Sequence, residues 1–305
     1  MIEFKDLTIK DKDIITGFTM NSNRINCDLS FSNLCSWRFK YDTKFAVVDD
    51  FLLLKFWVQG QLAYITPVGK GKLRNIMKVL TDDAKMEKQP FCMLGICSDM
   101  RNELQEAMSN NLVFSKARNY ADYIYLHTNL ATLKGKKLQS KRNFINRFRR
   151  NHPDYQYEPI TPEHIEECIA LEVEWCKVNH CDEREGVGNE RRALVYALQH
   201  FKELGLTGSM IRIDGKIIAF TFGMPINQTT FGVHVEKADT EIEGSYAIIN
   251  YEFVNHIPEK YIYINREEDL GIEGLRKAKL SYQPEIILDK YMACLKEEPL
   301  DFINW

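Results

Sequence analysis

Residues 261–284, Tyr-Ile-Tyr-Ile-Asn-Arg-Glu-Glu-Asp-Leu-Gly-Ile-Glu-Gly-Leu-Arg-Lys-Ala-Lys-Leu-Ser-Tyr-Gln-Pro, decide how this chain is read. The β-branched and aromatic run at 261–264 predicts a buried strand. Five polar residues, Asn265 to Asp269, follow without a spacer, and Gly271 and Gly274 precede a helical pattern that Pro284 ends. Polar groups crowded at the carboxyl end of a strand and facing a helix start are where α/β sheets place ligands. At 100° per residue Ile272, Leu275, Ala278 and Tyr282 form one apolar stripe, and Lys279 falls inside it. A lysine there either snorkels to water or serves a site.

Working outward, the second half predicts two helices at about 162–179 and 190–204, then three strands at 208–213, 216–224 and 230–235 joined by turns at Asp214-Gly215 and Asn227-Gln228. A polar loop at 236–243, a helix at about 245–256, the strand 261–264, a helix at 272–282 and a last strand at 286–295 complete it. The first half has the same order. A meander at 45–65 with turns at Asp49-Asp50 and Gln59-Gly60 leads to a helix at 73–85, a strand at 91–97, a helix at 101–108 and a strand at 122–127. A repeat of about 150 residues is a duplicated domain, since solenoid repeats are about 20–50 residues long. The expected domains are 1–128 and 129–305, the second preceded by a basic helix at 134–150. That segment holds eight Lys or Arg and no acid. Its apolar stripe is Leu138, Phe144, Ile145 and Phe148, with Lys141 inside it. It reads either as a solvated linker helix or as an anion contact made by Lys141 and Arg142.

The chain has 305 residues, 45% hydrophobic and 27% charged, with 17 Phe, 14 Tyr and 4 Trp for a large core. A net charge of −3 argues against a molecule built to coat nucleic acid, so no DNA partner is expected. No apolar run reaches the roughly 18 residues of a transmembrane helix, and Met-Ile-Glu-Phe-Lys-Asp does not open like a secretory signal. Eight scattered cysteines, several in apolar runs, fit reduced thiols and a cytoplasmic protein. Cys92/Cys97 and Cys176/Cys181 have four intervening residues, not the two of a zinc knuckle, and His180-Cys181-Asp182 stands alone, so no metal is expected. P-loop, Rossmann and Gly-x-Ser-x-Gly patterns are absent, which removes NTPase, dehydrogenase and α/β-hydrolase readings.

The order βββ–α–β–α–β with a glycine loop between the fourth strand and the following helix resembles the GNAT acyltransferase fold, in tandem. The runs Gly135-Lys136-Lys137-Leu138-Gln-Ser-Lys141-Arg142-Asn143 and 265–282 resemble the C-terminal domain of phosphatidylglycerol lysyltransferase, and the tandem plan resembles Fem-type peptidyltransferases. The implied fold class is α+β: two GNAT-like domains with mixed, mostly antiparallel sheets flanked by helices. The first domain is read as supporting, with Gly69-Lys70-Gly71 as the relic of a phosphate loop.

The resemblance implies coenzyme A as acyl donor. The strand carrying Val233 and Val235 would meet the pantetheine arm. Gly244, Ser245, Tyr246 and Ala247 would hold the pyrophosphate at a helix start, aided by Lys141, Arg142, Asn265 and Arg266. Gly244 matches the family loop, whereas Glu241 and Tyr246 depart from it. Transfer to an amine requires a base, and an acid near the leaving group. His234 and Glu236, two apart on one strand, share a face, and Tyr282 stands where GNAT enzymes often keep an acid; Lys279 is the fourth candidate. Each has a structural alternative, as a hydrogen-bonded core histidine, a loop start or a core tyrosine. The expected function is acyl transfer from coenzyme A to an unidentified amine. The alternatives are an aminoacyl-tRNA-dependent transferase, which the single basic segment does not favour, and a non-catalytic binding module.

Overall fold

The computed structural model describes residues 2–178 and 187–298. In chain order the elements are β1 (Lys5–Asp6), α1 (Lys12–Thr19), α2 (Phe31–Ser36), α3 (Arg38–Tyr41), β2 (Lys44–Val48), β3 (Phe51–Val58), β4 (Gln61–Gly69), α4 (Leu73–Met86), β5 (Cys92–Cys97), α5 (Met100–Ala107) and β6 (Leu112–Lys116). There follow β7 (Asp122–Leu126), α6 (His127–Thr132), α7 (Gln139–Asn151), β8 (Gln156–Pro159), α8 (Ile165–Val178), α9 (Val187–Gln199), α10 (Phe201–Leu204), β9 (Thr207–Ile213), β10 (Lys216–Pro225), β11 (Thr230–Ala238), α11 (Ser245–His256), β12 (Tyr263–Asn265), α12 (Glu273–Leu280), β13 (Ile286–Leu288) and β14 (Lys290–Leu295).

Two seven-stranded sheets carry the fold, in the orders β1-β2-β3-β4-β5-β14-β6 and β13-β7-β12-β11-β10-β9-β8. Each contains an antiparallel meander followed by one parallel pair, β4 with β5 and β11 with β12. This is the tandem GNAT-like α+β architecture that the element order predicts.

The units do not divide at 128/129. One comprises 1–122, 268–273 and 287–305, and the other 123–267 and 274–286. The expected single strand at 286–295 is two strands in different sheets: β14 runs antiparallel to both β5 and β6, while β13 ends the second sheet. A sheet completed by a strand distant in sequence leaves no local trace, because pairing depends on the neighbour it finds.

In the second unit, α11 is buried on most sides by Ala247, Ile248, Ile249, Phe253 and Val254, an all-round apolar helix that belongs in a core. Helix α7 adds Ile145 and Phe148 to the same core, with Leu138 just before it. Phe144, expected in that stripe, is 38% exposed. The spacing 138, 141, 145, 148 is the face that turns inward, and Lys141 holds its second place. Helix α12 inverts the expectation further. Ile272 just before it and Leu275 and Ala278 within it are exposed, and Lys279 is the residue it buries. The lysine tolerates burial because its ammonium donates to the Arg266 backbone carbonyl.

Strand β11 bends where its register to β10 shifts, between Phe222 and Gly223. Gly223 is required there, since a Cβ would lie 1.8 Å from the Gly232 carbonyl oxygen. Strands β11 and β12 pair only from Thr230/Tyr263 to Gly232/Asn265. Beyond Gly232, β11 continues to Ala238 without that neighbour, and this parting creates the place in which the polar residues gather.

Candidate functional site

The site grows from the ends of the parted strands. Asn265 is buried, and its Oδ1 accepts the Glu267 N–H at 2.7 Å. This local bond supports the left-handed backbone of Glu267 (φ 59). The turn sends Arg266 back towards β11, where its Nη2 meets Glu236 Oε1 at 2.9 Å. Asn250 of α11 donates to the other oxygen of Glu236 at 3.1 Å. Both carboxylate oxygens are therefore engaged, and Glu236 serves as a fixed counter-ion. The Arg266 guanidinium stacks 4.7 Å over Tyr282 and 5.7 Å over Tyr125, and Lys141 Nζ stands 4.1 Å over the Tyr282 ring. Tyr125 donates to the Lys279 backbone carbonyl at 2.7 Å, which ties α12 to β7.

One nitrogen is left over. Arg266 Nη1 is buried and has no hydrogen-bond partner among the described residues. An unsatisfied buried donor costs roughly 1–3 kcal/mol, more when charged, so it marks a place prepared for an acceptor. Lys141 shares the Tyr282 ring with Arg266. Burial pushes its pKa down, the Arg266 charge pushes it further, and Glu236 opposes them. Burial pushes the Tyr282 hydroxyl up to about 12 against the pull of Arg266, so it keeps its proton at neutral pH. Burial raises Tyr125 in the same sense. The cluster concentrates cationic donors beside a protonated phenol, a setting suited to an oxygen that gains negative charge.

The structure thus brings together Glu236, Arg266, Lys141 and Tyr282 of the residues expected from sequence, with Lys279 behind them. His234 is the residue that the register shift leaves without a partner on β10, so the alternation expected to set it on one face with Glu236 is broken between them; its Nδ1 contacts Glu267 Oε1 at 2.8 Å. Arg142 is elsewhere. It donates to the carbonyls of Leu133 and Gly135, and so closes the end of α6 rather than holding an anion. Asp269 lies in the other unit, paired with Arg118 at 3.2 Å. Sequence reasoning missed Tyr125 and Asn250. Asn250 had a signal, as an amide inside the run 246–251 of apolar and aromatic residues.

The expected pyrophosphate cradle does not fit. Gly244 has φ +89, and a Cβ on it would stand 3.0 Å from the Phe144 carbonyl oxygen and 3.2 Å from Phe148 Cβ, so α7 occupies this corner. Ser245 is buried, with its hydroxyl donating to the Asp239 carbonyl at 2.7 Å; Tyr246 accepts the Trp175 indole N–H at 2.7 Å; Ala247 is core. Of the pantetheine contacts, Val233 is buried, and the Val235 carbonyl already accepts Thr221 Oγ1 at 2.8 Å. The nearby cavity of about 670 Å³ is lined by Glu167, Glu174, Asp214, Asp239 and Glu241 against Lys216. That wall repels a diphosphate.

A second buried polar group lies in the first unit. Cys27, Asp122 and Glu268 place ligand atoms within 4.8 Å of one another, a metal-like spacing. The Lys290 ammonium stands among them, 2.7 Å from Asp122 and from Asp28, 2.8 Å from Glu268 and 3.6 Å from the Cys27 sulfur. Burial alone would lower Lys290; the surrounding negative groups raise it well above its usual value. His180-Cys181-Asp182 lies outside the described residues, and no described helix is long and apolar enough to cross a membrane.

Comparison with known proteins agrees with the fold. A conserved protein of unknown function from Bacteroides thetaiotaomicron is 68% identical, with TM-score 0.96 over 97% of this chain and all of that one. L-PGS from Bacillus licheniformis shares the fold at 17% identity and TM-score 0.68, covering 94% and 93% of the two chains. FemX does so at 10% identity and TM-score 0.59, over 95% and 97%. The model of the family "Phosphatidylglycerol lysyltransferase, C-terminal" matches residues 19–294. The chain belongs to that family of transferases.

Proposed function

We propose that the protein transfers an aminoacyl group from an activated RNA ester to a hydroxyl or amine acceptor, at the cluster around Arg266. The observation that carries this reading is the buried, unpartnered Nη1 of Arg266, whose guanidinium shares the Tyr282 ring with Lys141. The acceptor oxygen or nitrogen attacks the ester carbonyl, whose oxygen becomes an alkoxide held by Arg266 and Lys141. Collapse breaks the ester C–O bond and releases the RNA hydroxyl, which takes up a proton. The His234–Glu267 pair has the imidazole–carboxylate arrangement of a general base and receives the proton of the acceptor. Tyr282 keeps its proton and is the acid available to the leaving oxygen.

The family description, a lysyltransferase acting on phosphatidylglycerol, supports an aminoacyl donor. Among the described residues, the exposed Lys134, Lys136, Lys137 and Arg150 face no acidic partner, which suits a polyanionic donor. Coenzyme A is the competing donor. The parting of β11 from β12 favours it, while the covered start of α11 and the acidic cavity oppose it.

The test presents radiolabelled lysyl-tRNA to the purified protein with phosphatidylglycerol vesicles or an amine panel, and follows label leaving the RNA. Thermal melts with coenzyme A and acetyl-coenzyme A run in parallel, because a native-state ligand raises Tm. Transfer from the RNA with no melt shift by millimolar coenzyme A is the expected result. A shift and turnover with acetyl-coenzyme A alone would replace this reading with the thioester one. Binding without turnover of any donor would leave a binding module.

A further inference from the structure

Away from the transfer site, two cysteines distant in sequence stand side by side. Cys92 opens β5, Cys294 is the penultimate residue of β14, and the antiparallel register sets them directly opposite each other. Opposed residues on such strands have Cα atoms about 4.5–5.5 Å apart, inside the span of about 4.4–6.8 Å that a disulfide accepts. Both are buried free thiols.

We propose that Cys92 and Cys294 form a dithiol site that reacts with a hydroperoxide and closes into a disulfide between β5 and β14. The Cys294 thiolate attacks one peroxide oxygen; the O–O bond breaks, Cys294 becomes a sulfenic acid, and hydroxide leaves and takes up a proton. The Cys92 sulfur then attacks the Cys294 sulfur. The S–S bond forms, the S–O bond breaks, and the hydroxide departs as water with the Cys92 proton. Two thiols and one hydrogen peroxide give one disulfide and two waters, with sulfur oxidised and peroxide oxygen reduced.

The pair is polarised in the sense this order requires. The two thiols act on each other, with Cys294 shifted down and Cys92 shifted up. Thiolate character, more than mere presence, decides which cysteine reacts. Cys97 and Cys168 are also buried, but burial pushes each up to about 12, and they serve as internal controls. Cys294 is one residue from the end of β14, close to Glu298, whose carboxylate accepts the Phe91 N–H at 2.9 Å. Fraying of a strand end admits a small oxidant where a bulky disulfide reagent would be excluded.

The experiment treats the reduced full-length protein with hydrogen peroxide, blocks residual thiols under denaturing conditions, and maps non-reduced peptides by mass spectrometry. The expected product joins the Cys92 and Cys294 peptides, lighter by two hydrogens than the pair of thiols, before Cys97 or Cys168 is modified. In C92S, a sulfenic-acid trap is expected to label Cys294. The proposal is overturned if Cys92 and Cys294 stay alkylatable while other thiols oxidise. It is also overturned if Cys294 advances to sulfinic acid with Cys92 still reduced. The wild-type map decides the matter even where a variant folds poorly.

Discussion

The two sheets repeat one strand plan and fill it with opposite materials. In the first, β4 and β5 pair at Tyr64/Met93 and Ile65/Leu94. Tyr64 stacks on Phe91 at 5.8 Å there and donates its hydroxyl to Asp83 at 2.5 Å. In the second, the equivalent parting of β11 and β12 receives Arg266, Glu236, Lys141 and Tyr282. The buried cations differ in the same way. Lys55 is closed by Asp83 at 2.8 Å and Glu87 at 2.6 Å, and Lys290 is ringed by three carboxylates. Arg266 has one carboxylate and a nitrogen to spare. A buried charge whose valences are all met holds a fold together; one with a donor left over is available to a substrate.

The contrast can be broken most forcefully at Lys290. K290M leaves Asp122, Asp28 and Glu268 without their cation, and removing one partner of a buried ionic group costs about 3–5 kcal/mol. Denaturant melts are expected to show that loss or outright misfolding, and an unchanged midpoint would show that the cluster is not ionic glue. Gly244→Ala tests how tightly α7 closes the start of α11. A Cβ at φ +89 facing the Phe144 carbonyl is expected to cost about 1–3 kcal/mol. A neutral substitution would mean that this corner is open and would revive a phosphate cradle.

Lys141 separates stability from activity. Its folded pKa lies below the unfolded value of 10.5, so the unfolded chain binds more protons, and stability rises as pH climbs through the folded pKa towards 10.5. K141M is therefore expected to raise Tm slightly at neutral pH, flatten that rise and slow transfer. Unaltered transfer would remove Lys141 from the site. Tyr282 has the opposite sign. Its folded pKa of about 12 exceeds the ordinary 10, so the stability from its neutral form is complete below pH 10 and is lost as pH rises towards 12. Y282F should remove part of that alkaline loss, the smallest of these effects, measured as Tm against pH.

Much of this was legible in the sequence, for reasons that also mark its limits. The polar run after 264 located Arg266, whereas the alternation expected to set His234 and Glu236 on one face of β11 is broken by the register shift at His234. Local pattern could not show that Tyr282 of the last segment meets Lys141 of the basic helix, because that contact depends on how α7 and α12 pack. The same ignorance of packing made Gly244 resemble a phosphate loop, when its role is to admit α7. It also put Ile272, Leu275 and Ala278 in a core that instead takes Lys279. The fate of 286–295 was hidden for a related reason. Strand propensity says that a segment pairs, and not with which sheet.

The role proposed for Arg266 is to stabilise the transferring carbonyl with its spare nitrogen. Single-turnover transfer from lysyl-tRNA by wild type and R266Q tests it most directly, with R266Q/E236Q as the control for an orphaned carboxylate. Loss of an oxyanion donor costs about 10²–10³ in rate. A fall of that order is expected in both variants, with RNA binding kept and the fold intact by circular dichroism. A transfer rate within a few-fold of wild type in either folded variant would contradict it.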